Sequence, residues 1–594
     1  MEKIYYTDEK NILILISLLK KRNIRKVITS PGTTNHTLVK SMQNDPWFEL
    51  YSSVDERSAA YMACGLCAES KEPVVITCTE ATASRNYMPG LTEAYYRKLP
   101  ILAVATTHGR RNVGQLVPQV IDHSVIPNDI AVYHNYLPPV NNVTDFKQAE
   151  IICNEAINSL THSGGGPVYL TLESVASRDY SVTELPKCRN IICFDGHGLW
   201  PEFPHDGRTG IFVGSHLDFD EHTEKAVENF CERTGAVVFC DHTSGYYGKY
   251  KVNYSLAGSQ EMYRSELSSL RLLICIGDVS GDYFSNILGG SAKEVWRVSE
   301  DGRMADKWGN LSCLFEMPEE SFFLHYSTFS KIKSPSPHPI EEYIKERQLL
   351  ETHIPELPYG KVWVTKRLIE GLPTGCYIHF SILGSLRAGN FFLLPDGVKG
   401  NCNVGGFGID GATSTLIGSS LAFPERLHFL LTGDLAFFYD LNAIGNRHVG
   451  SNVRILLVNN GDGTEFRQYW HPISAFSKEE ADMYMAAGGH YGNQSHTLVK
   501  YMAQSLGFDY ITASSKEEFI SLIERFLSPN PNKSPMIFEV FTDSEEDSRS
   551  VKMMRNILKD DGYSKRNFKN KISGMVKDIV GKEATEMVKL MLKR

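Results

Sequence analysis

What the 594-residue chain lacks narrows its class before any motif is read. Its first apolar run, Ile12 to Leu19, is only eight residues and follows Asp8-Glu9-Lys10, so it predicts neither a signal peptide nor a membrane span. Basic charge is not in excess: 61 Lys and Arg stand against 70 Asp and Glu, a net charge of -9, which argues against nucleic acid as a principal partner. The twelve cysteines lack the spacing of a disulfide framework, as expected for a cytoplasmic, reducing location. A lone CxxC, Cys64-Gly-Leu-Cys67, has no second pair or suitably spaced histidine to complete a metal site. It lies in the small-residue stretch Ser58-Ala-Ala-Tyr-Met-Ala-Cys-Gly-Leu-Cys-Ala, which reads as a closely packed helix.

What is present is a long alternation of apolar strands and amphipathic helices, too long for one core. It predicts an α/β protein of three doubly wound, mainly parallel-sheet domains: residues 1–185, 190–340 and 355–545. Strands are expected near Lys26–Thr29, Phe48–Ser52, Val74–Thr79, Ile101–Thr106 and Val168–Leu172 in the first. The second has them near Thr209–Val213, Ala236–Phe239, Leu272–Ile276 and Glu294–Val298. A proline-spaced linker, Lys333 to Pro339, precedes the third. Residues 546–594 form a C-terminal helical extension whose last part, Ser564 to Arg594, holds nine basic against three acidic residues, a net of +6. Apolar residues recur there at helical spacing, so it reads as a basic amphipathic helix that packs on the body or a partner subunit, or that touches an anionic membrane surface.

The third domain carries the most specific chemistry. An apolar strand, Leu427 to Thr432, runs into Gly433-Asp434. A helix is expected from Leu435 to about Val449, then a second strand, Val453 to Val458, runs into Asn459-Asn460. In a parallel βαβ unit Asp434 and Asn460 emerge at the carboxyl ends of the strands, where ligands collect, and side by side if the two strands are neighbours. Mg²⁺ takes hard oxygen ligands and shares them with phosphate oxygens. The Asp434 carboxylate, the Asn460 amide oxygen and a backbone carbonyl near Asp462 can supply three, and the helix opening at Leu435 offers N–H groups to the same diphosphate. An isolated Gly-Asp turn also fits an ordinary helix cap followed by an Asn-Asn-Gly loop.

Residue by residue this segment resembles the thiamine diphosphate (ThDP) motif, Gly-Asp-Gly or Gly-Asp-Leu followed at a similar interval by Asn-Asn. Further stations, in order, are similar to those of SEPHCHC synthase, the ThDP enzyme of menaquinone biosynthesis. They are Ser30-Pro-Gly-Thr-Thr34, Val54-Asp-Glu-Arg57, Asn86-Tyr-Met-Pro-Gly-Leu-Thr-Glu-Ala94, Pro118-Gln119, Ser385-Leu-Arg387 and Asn403-Val-Gly-Gly-Phe-Gly-Ile-Asp-Gly411. The resemblance covers about residues 5 to 545 and implies pyrimidine-binding, central and diphosphate-binding domains, with ThDP and Mg²⁺ as cofactors. It implies Glu56 as the acid that activates the aminopyrimidine, Gln119 as a catalytic or substrate-contacting group, and Ile409 as the wedge that holds the cofactor bent. Ser385, Gly433, Leu435, Ala436 and Gly463 complete its cofactor-binding set with Asp434, Asn460 and Asp462. Arg387, whose planar fork suits a carboxylate, is the expected receptor for the donor; a surface ion pair fits it equally well. The family's subunit arrangement implies a homodimer or homotetramer.

The departures fall where substrate is expected. Thr33-Thr34 replace Ser-Arg, Val404 replaces an arginine, Glu80 and Arg85 replace a glycine and an apolar residue, and Glu465 replaces an apolar residue. The lost arginines argue against an isochorismate acceptor, while Glu465 adds a group able to bind hydroxyls or an amine, or to move protons. The resulting expectation is a carboligase that decarboxylates a 2-oxo acid and passes the acyl carbanion to an acceptor, such as a modified sugar or secondary metabolite. A simple 2-oxo acid decarboxylase and a catalytically silent scaffold are the alternatives.

Overall fold

The computed structural model describes residues 3–282, 286–328, 337–490, 495–529 and 533–558. The basic segment 564–594 and most of the linker 333–339 lie outside them. Three parallel sheets flanked by helices make up the described fold, as the alternation predicts. One compact unit runs to Glu202 and takes in Glu294–Pro318; the other begins at Phe203 and resumes at Glu319.

In the first unit, six strands pair in the order Glu49–Ser52, Lys26–Thr29, Val74–Cys78, Ile101–Thr107, Val168–Glu173, Tyr133–Leu137. The central strands are buried at every position, as a sheet covered on both faces requires. Two separate apolar clusters, one around Leu15, Val75 and Leu170 and one around Ala63, Ile76 and Ala103, are the cores on those faces. Cys64 and Cys67 belong to the second cluster. Both thiols are pushed up to about 11, burial being the main cause, so they are packing groups rather than reactive ones. Helix Glu56–Ser70 lies so near helix Met88–Arg97 that a Cβ on Gly90 would come within 2.5 Å of the Cβ of Ala60. The small side chains of this stretch permit that approach.

Of the middle sheet, Ile192–Phe194, Glu294–Val298 and Leu311–Phe315 belong to the first unit. Thr209–Val213, Val237–Cys240, Lys251–Asn253 and Leu272–Ile276 belong to the second. Ile192–Phe194 and Lys251–Asn253 are only three residues long, too short to leave a period in the sequence.

The third sheet lies wholly in the second unit, in the order Lys399–Cys402, Tyr377–Phe380, His428–Gly433, Val453–Asn459, Met536–Phe541, Asp509–Ala513. Numbered within their own sheets, the strands of the first and third sheets share one winding order, 2-1-3-4-6-5. In both, the chain changes direction between the first and third strands, leaving a crevice beyond their carboxyl ends. The helix expected from Leu435 to about Val449 is shorter: it ends at Tyr439 and a 3₁₀ turn, Leu441–Gly445, follows. Asp440 ends it by accepting from the N–H and hydroxyl of Ser414, at 2.6 and 2.7 Å, and Asn442, Gly445 and Asn446 do not favour its resumption.

Candidate functional site

Two neighbouring strands of the third sheet bring the expected metal-binding groups together. Gly433 is paired with Val458 on neighbouring parallel strands, so Asp434 and Asn460 leave the sheet side by side. Asp434 is buried, and its carboxylate accepts from the backbone N–H of Leu435 at 2.8 Å and of Gly461 at 2.6 Å. Burial raises its pKa above the ordinary carboxylate value, against the opposing influence of Lys361 and these N–H groups. A carboxylate so placed is relieved by a cation.

Asn460 is oriented from behind. Its Nδ2 donates to the Thr464 hydroxyl at 2.5 Å and to the Asp547 carboxylate at 3.0 Å. Because a carboxylate only accepts, that contact fixes which end of the amide turns away, and Oδ1 instead accepts from the Asp462 N–H at 3.1 Å. Asp462 Oδ2 accepts from the Ser544 hydroxyl at 2.7 Å and from Lys478 Nζ at 3.0 Å. Among the described residues no three His, Cys, Asp or Glu side chains form a metal site by themselves. A carboxylate, an amide oxygen and a backbone carbonyl are instead the hard oxygen donors that would suit a magnesium ion.

These groups adjoin a cleft of about 680 Å³, within the roughly 300–1,000 Å³ typical of ligand sites. Of the cofactor residues expected from sequence, Ser385, Ile409, Gly433, Asp434, Leu435, Ala436 and Gly463 line it. Asn460 and Asp462 do not. Gly463 has φ +57°, and a Cβ there would lie 2.5 Å from Leu435 Cδ1, so the bend that carries the chain past the cleft needs glycine. Arg387 and Glu465 also line the cleft and meet: Arg387 Nη1 donates to both Glu465 oxygens, at 2.7 and 2.9 Å. With the Arg387 side chain 9% exposed, the pair is not the surface ion pair weighed as an alternative.

The residues expected to touch substrate divide differently. Val404 is buried in the apolar core around Ile382 and Leu386. Thr34 is buried too, with its hydroxyl engaged by those of Thr79 at 2.6 Å and Thr106 at 2.7 Å. Both side chains are packed inward rather than exposed at the surface. Thr33 remains exposed, and Gln119 is exposed with φ +67°. Glu80 is buried and accepts from the His108 N–H at 2.5 Å, while Arg85 donates to the Asp122 carbonyl at 2.8 Å.

Glu56 opens its helix without capping it. Asp55 is the N-cap, accepting from Arg57 and Ser58, so the Glu56 carboxylate is left to reach outward, where Asn86 Nδ2 lies at 3.4 Å. That separates it from a residue whose task is to satisfy the helix end.

Two residues with roles here escaped the sequence reading. Lys361, at the start of helix Lys361–Gly371, lines the cleft. Asp547, on helix Ser544–Met554, is fully buried and accepts from Asn460, from the Thr542 hydroxyl and from the Lys361 N–H. Their meeting joins three distant stretches of chain, and no local pattern announces it.

The chain is similar to known proteins along most of its length. The model of the thiamine pyrophosphate enzyme N-terminal TPP-binding domain matches residues 13–126. A 2-succinyl-5-enolpyruvyl-6-hydroxy-3-cyclohexene-1-carboxylate synthase of Phocaeicola vulgatus is 30% identical over 575 residues, spanning 93% of this chain and 99% of the relative. The protein of the same name from Bacteroides fragilis is 30% identical over 578 residues, covering 93% and 100%. That of Bacteroides thetaiotaomicron is 28% identical over 569 residues, again covering 93% and 100%.

Proposed function

Since this chain belongs to the 2-succinyl-5-enolpyruvyl-6-hydroxy-3-cyclohexene-1-carboxylate synthases, a family of thiamine diphosphate enzymes, we propose that it is a magnesium-dependent carboligase. It decarboxylates a 2-oxo acid and transfers the acyl unit to an acceptor carbonyl. The observation that carries this reading is the convergence of Asp434 and Asn460 at neighbouring strand ends, beside a cleft lined by Ser385, Ile409 and Gly463. When bound, thiamine diphosphate supplies the electron sink that decarboxylation requires.

The chain's own groups do the rest. Asp434, the Asn460 amide oxygen and the Asp462 carbonyl would hold Mg²⁺. Ile409 would pack against the cofactor, and Glu56 would be the acid that faces its aminopyrimidine ring. Thr33 and Gln119, both exposed, contact substrate. We assign residues 1–185 to pyrimidine binding, 190–340 to the central domain and 355–545 to diphosphate binding. A homodimer or homotetramer, in which opposite subunits supply the first and third domains of one site, is the competent unit. The twelve cysteines, none in a disulfide, suit a reducing cytoplasm.

The test is CO₂ release from a panel of 2-oxo acids by the protein loaded with ThDP and Mg²⁺, with and without added aldehydes and ketones, and with Glu56→Gln as control. Release that depends on cofactor and on Glu56, with a coupled product when an acceptor is present, is the expected result. Release with free aldehyde as the sole product under every acceptor would assign a simple decarboxylase instead.

A further inference from the structure

We propose that Lys361 is a further cofactor-binding residue, whose ammonium takes diphosphate oxygens that Mg²⁺ leaves uncovered. This role rests on the ThDP and Mg²⁺ reading of the site. Lys361 opens helix Lys361–Gly371 and lines the cleft together with Ser381, Gly384, Gly433 and Asp434. Its half-buried side chain reaches the start of helix Gly384–Asn390, where a Cβ added to Gly384 would lie 3.1 Å from Nζ. There Nζ makes neither a hydrogen bond nor an ion pair with any described residue.

The chain fixes where this lysine begins. Asp547 Oδ1 accepts from the Lys361 N–H, while Oδ2 accepts from Asn460 Nδ2 at 3.0 Å and from the Thr542 hydroxyl at 2.9 Å. One buried carboxylate thus holds the Lys361 backbone and the amide of a candidate metal ligand in register. Attraction to Lys361 also opposes the burial that raises the pKa of Asp434 and of Asp547, so the charge of the ammonium falls on the metal end of the cleft.

Charge balance gives this cation a task. Asp434 and a bound diphosphate together bring more negative charge than one Mg²⁺ cancels, and the remainder is costly inside a cleft. An ammonium is a compact point charge with three donors on a jointed stem, suited to phosphate oxygens. A lysine that served only to neutralise Asp434 or Asp547 would close an ion pair with one of them. Lys361 closes none among the described residues, and it stands in the cleft wall.

The experiment is calorimetric titration of ThDP into the Mg²⁺-loaded full chain. Lys361→Met removes the charge and keeps most of the stem; it should weaken ThDP binding at least tenfold, and Lys361→Arg should recover most of that loss. The deficit should persist when Mg²⁺ is raised to saturation, because a contact with phosphate is separate from the affinity for the metal. Inorganic diphosphate with Mg²⁺, which probes this end of the cofactor alone, should lose affinity by a similar factor. Since removing a cation beside two buried carboxylates can impair folding, a second measurement uses the wild type: reductive methylation of lysines, mapped by mass spectrometry. Saturating ThDP with Mg²⁺ should slow labelling of Lys361 at least tenfold, and Mg²⁺ alone should not. Unchanged ThDP affinity in Lys361→Met, a deficit that excess Mg²⁺ abolishes, or labelling that bound cofactor does not slow overturns the role of Lys361 and leaves the ThDP reading intact. A wild type that binds neither ThDP nor diphosphate in the presence of Mg²⁺ overturns both.

Discussion

Asp434→Asn tests the metal site without changing its shape. In the cofactor-free protein two effects oppose each other. The Asp434 carboxylate accepts from two backbone N–H groups, those of Leu435 and Gly461, and an amide can offer an oxygen to only one of them. Leaving the other buried donor unsatisfied costs about 1–3 kcal/mol. Against this, the variant no longer buries a carboxylate whose pKa burial has raised, and each unit of such displacement is about 1.4 kcal/mol. The folded protein binds this proton more tightly than the unfolded chain does, so the stability tied to it is lost as pH rises through the folded-state pKa. The melting temperatures of free wild type and variant should therefore converge as pH is raised. Cofactor reverses that convergence. ThDP and Mg²⁺ at one hundred times their dissociation constant add about 2.7 kcal/mol to a protein that binds them. For a cooperative unit of 150–250 residues this is roughly 5–11 °C. Thermal melts with and without cofactor at several pH values should show that rise in the wild type and almost none in Asp434→Asn. A variant that keeps the full rise refutes the assignment of Asp434 as the metal ligand.

Glu56→Gln should lower turnover by about 10²–10⁴-fold, the usual worth of a positioned acid or base, and should keep the ThDP-dependent rise in melting temperature; loss of both would make Glu56 a structural residue. Gly463→Ala forces a side chain into a left-handed conformation, costing about 1–2 kcal/mol, and pushes Leu435 from a 2.5 Å clash toward the cleft. It should therefore weaken cofactor binding in calorimetric titrations as well as lowering melting temperature. His379 is buried, with neither ring nitrogen partnered among the described residues, and burial lowers its pKa from 6.5 to about 4. The unfolded chain protonates it first as pH falls, so stability is lost between pH 6.5 and about 4, by about 2 kcal/mol at pH 5. Denaturant melts of His379→Phe should show a flatter dependence on pH over that range, and an unchanged slope would place the acid sensitivity elsewhere.

The strands that could be read from sequence are those buried on both faces, such as Val74–Cys78 and Val453–Asn459, because double burial writes a continuous apolar run. Tyr133–Leu137 was not legible: at the sheet edge it is half-buried, and its residues, Tyr-His-Asn-Tyr-Leu, carry no such run. The helix after Asp434 was overestimated because its end is set by Asp440 bonding to Ser414, a contact between separate helices.

By itself the sequence determined the order of the expected cofactor stations, since Gly433-Asp434, Asn459-Asn460 and Ser385-Leu-Arg387 are short, local segments at strand ends and a helix start, where a few adjacent residue types carry the signal. Tertiary structure alone decided what those residues face. It turned Thr34 and Val404 into packing groups, set Asp547 behind Asn460, and closed Arg387 upon Glu465, 78 positions away. Ligation chemistry acts over adjacent residues and so is written in motifs, whereas burial and charge pairing depend on which distant strand ends the sheet brings together.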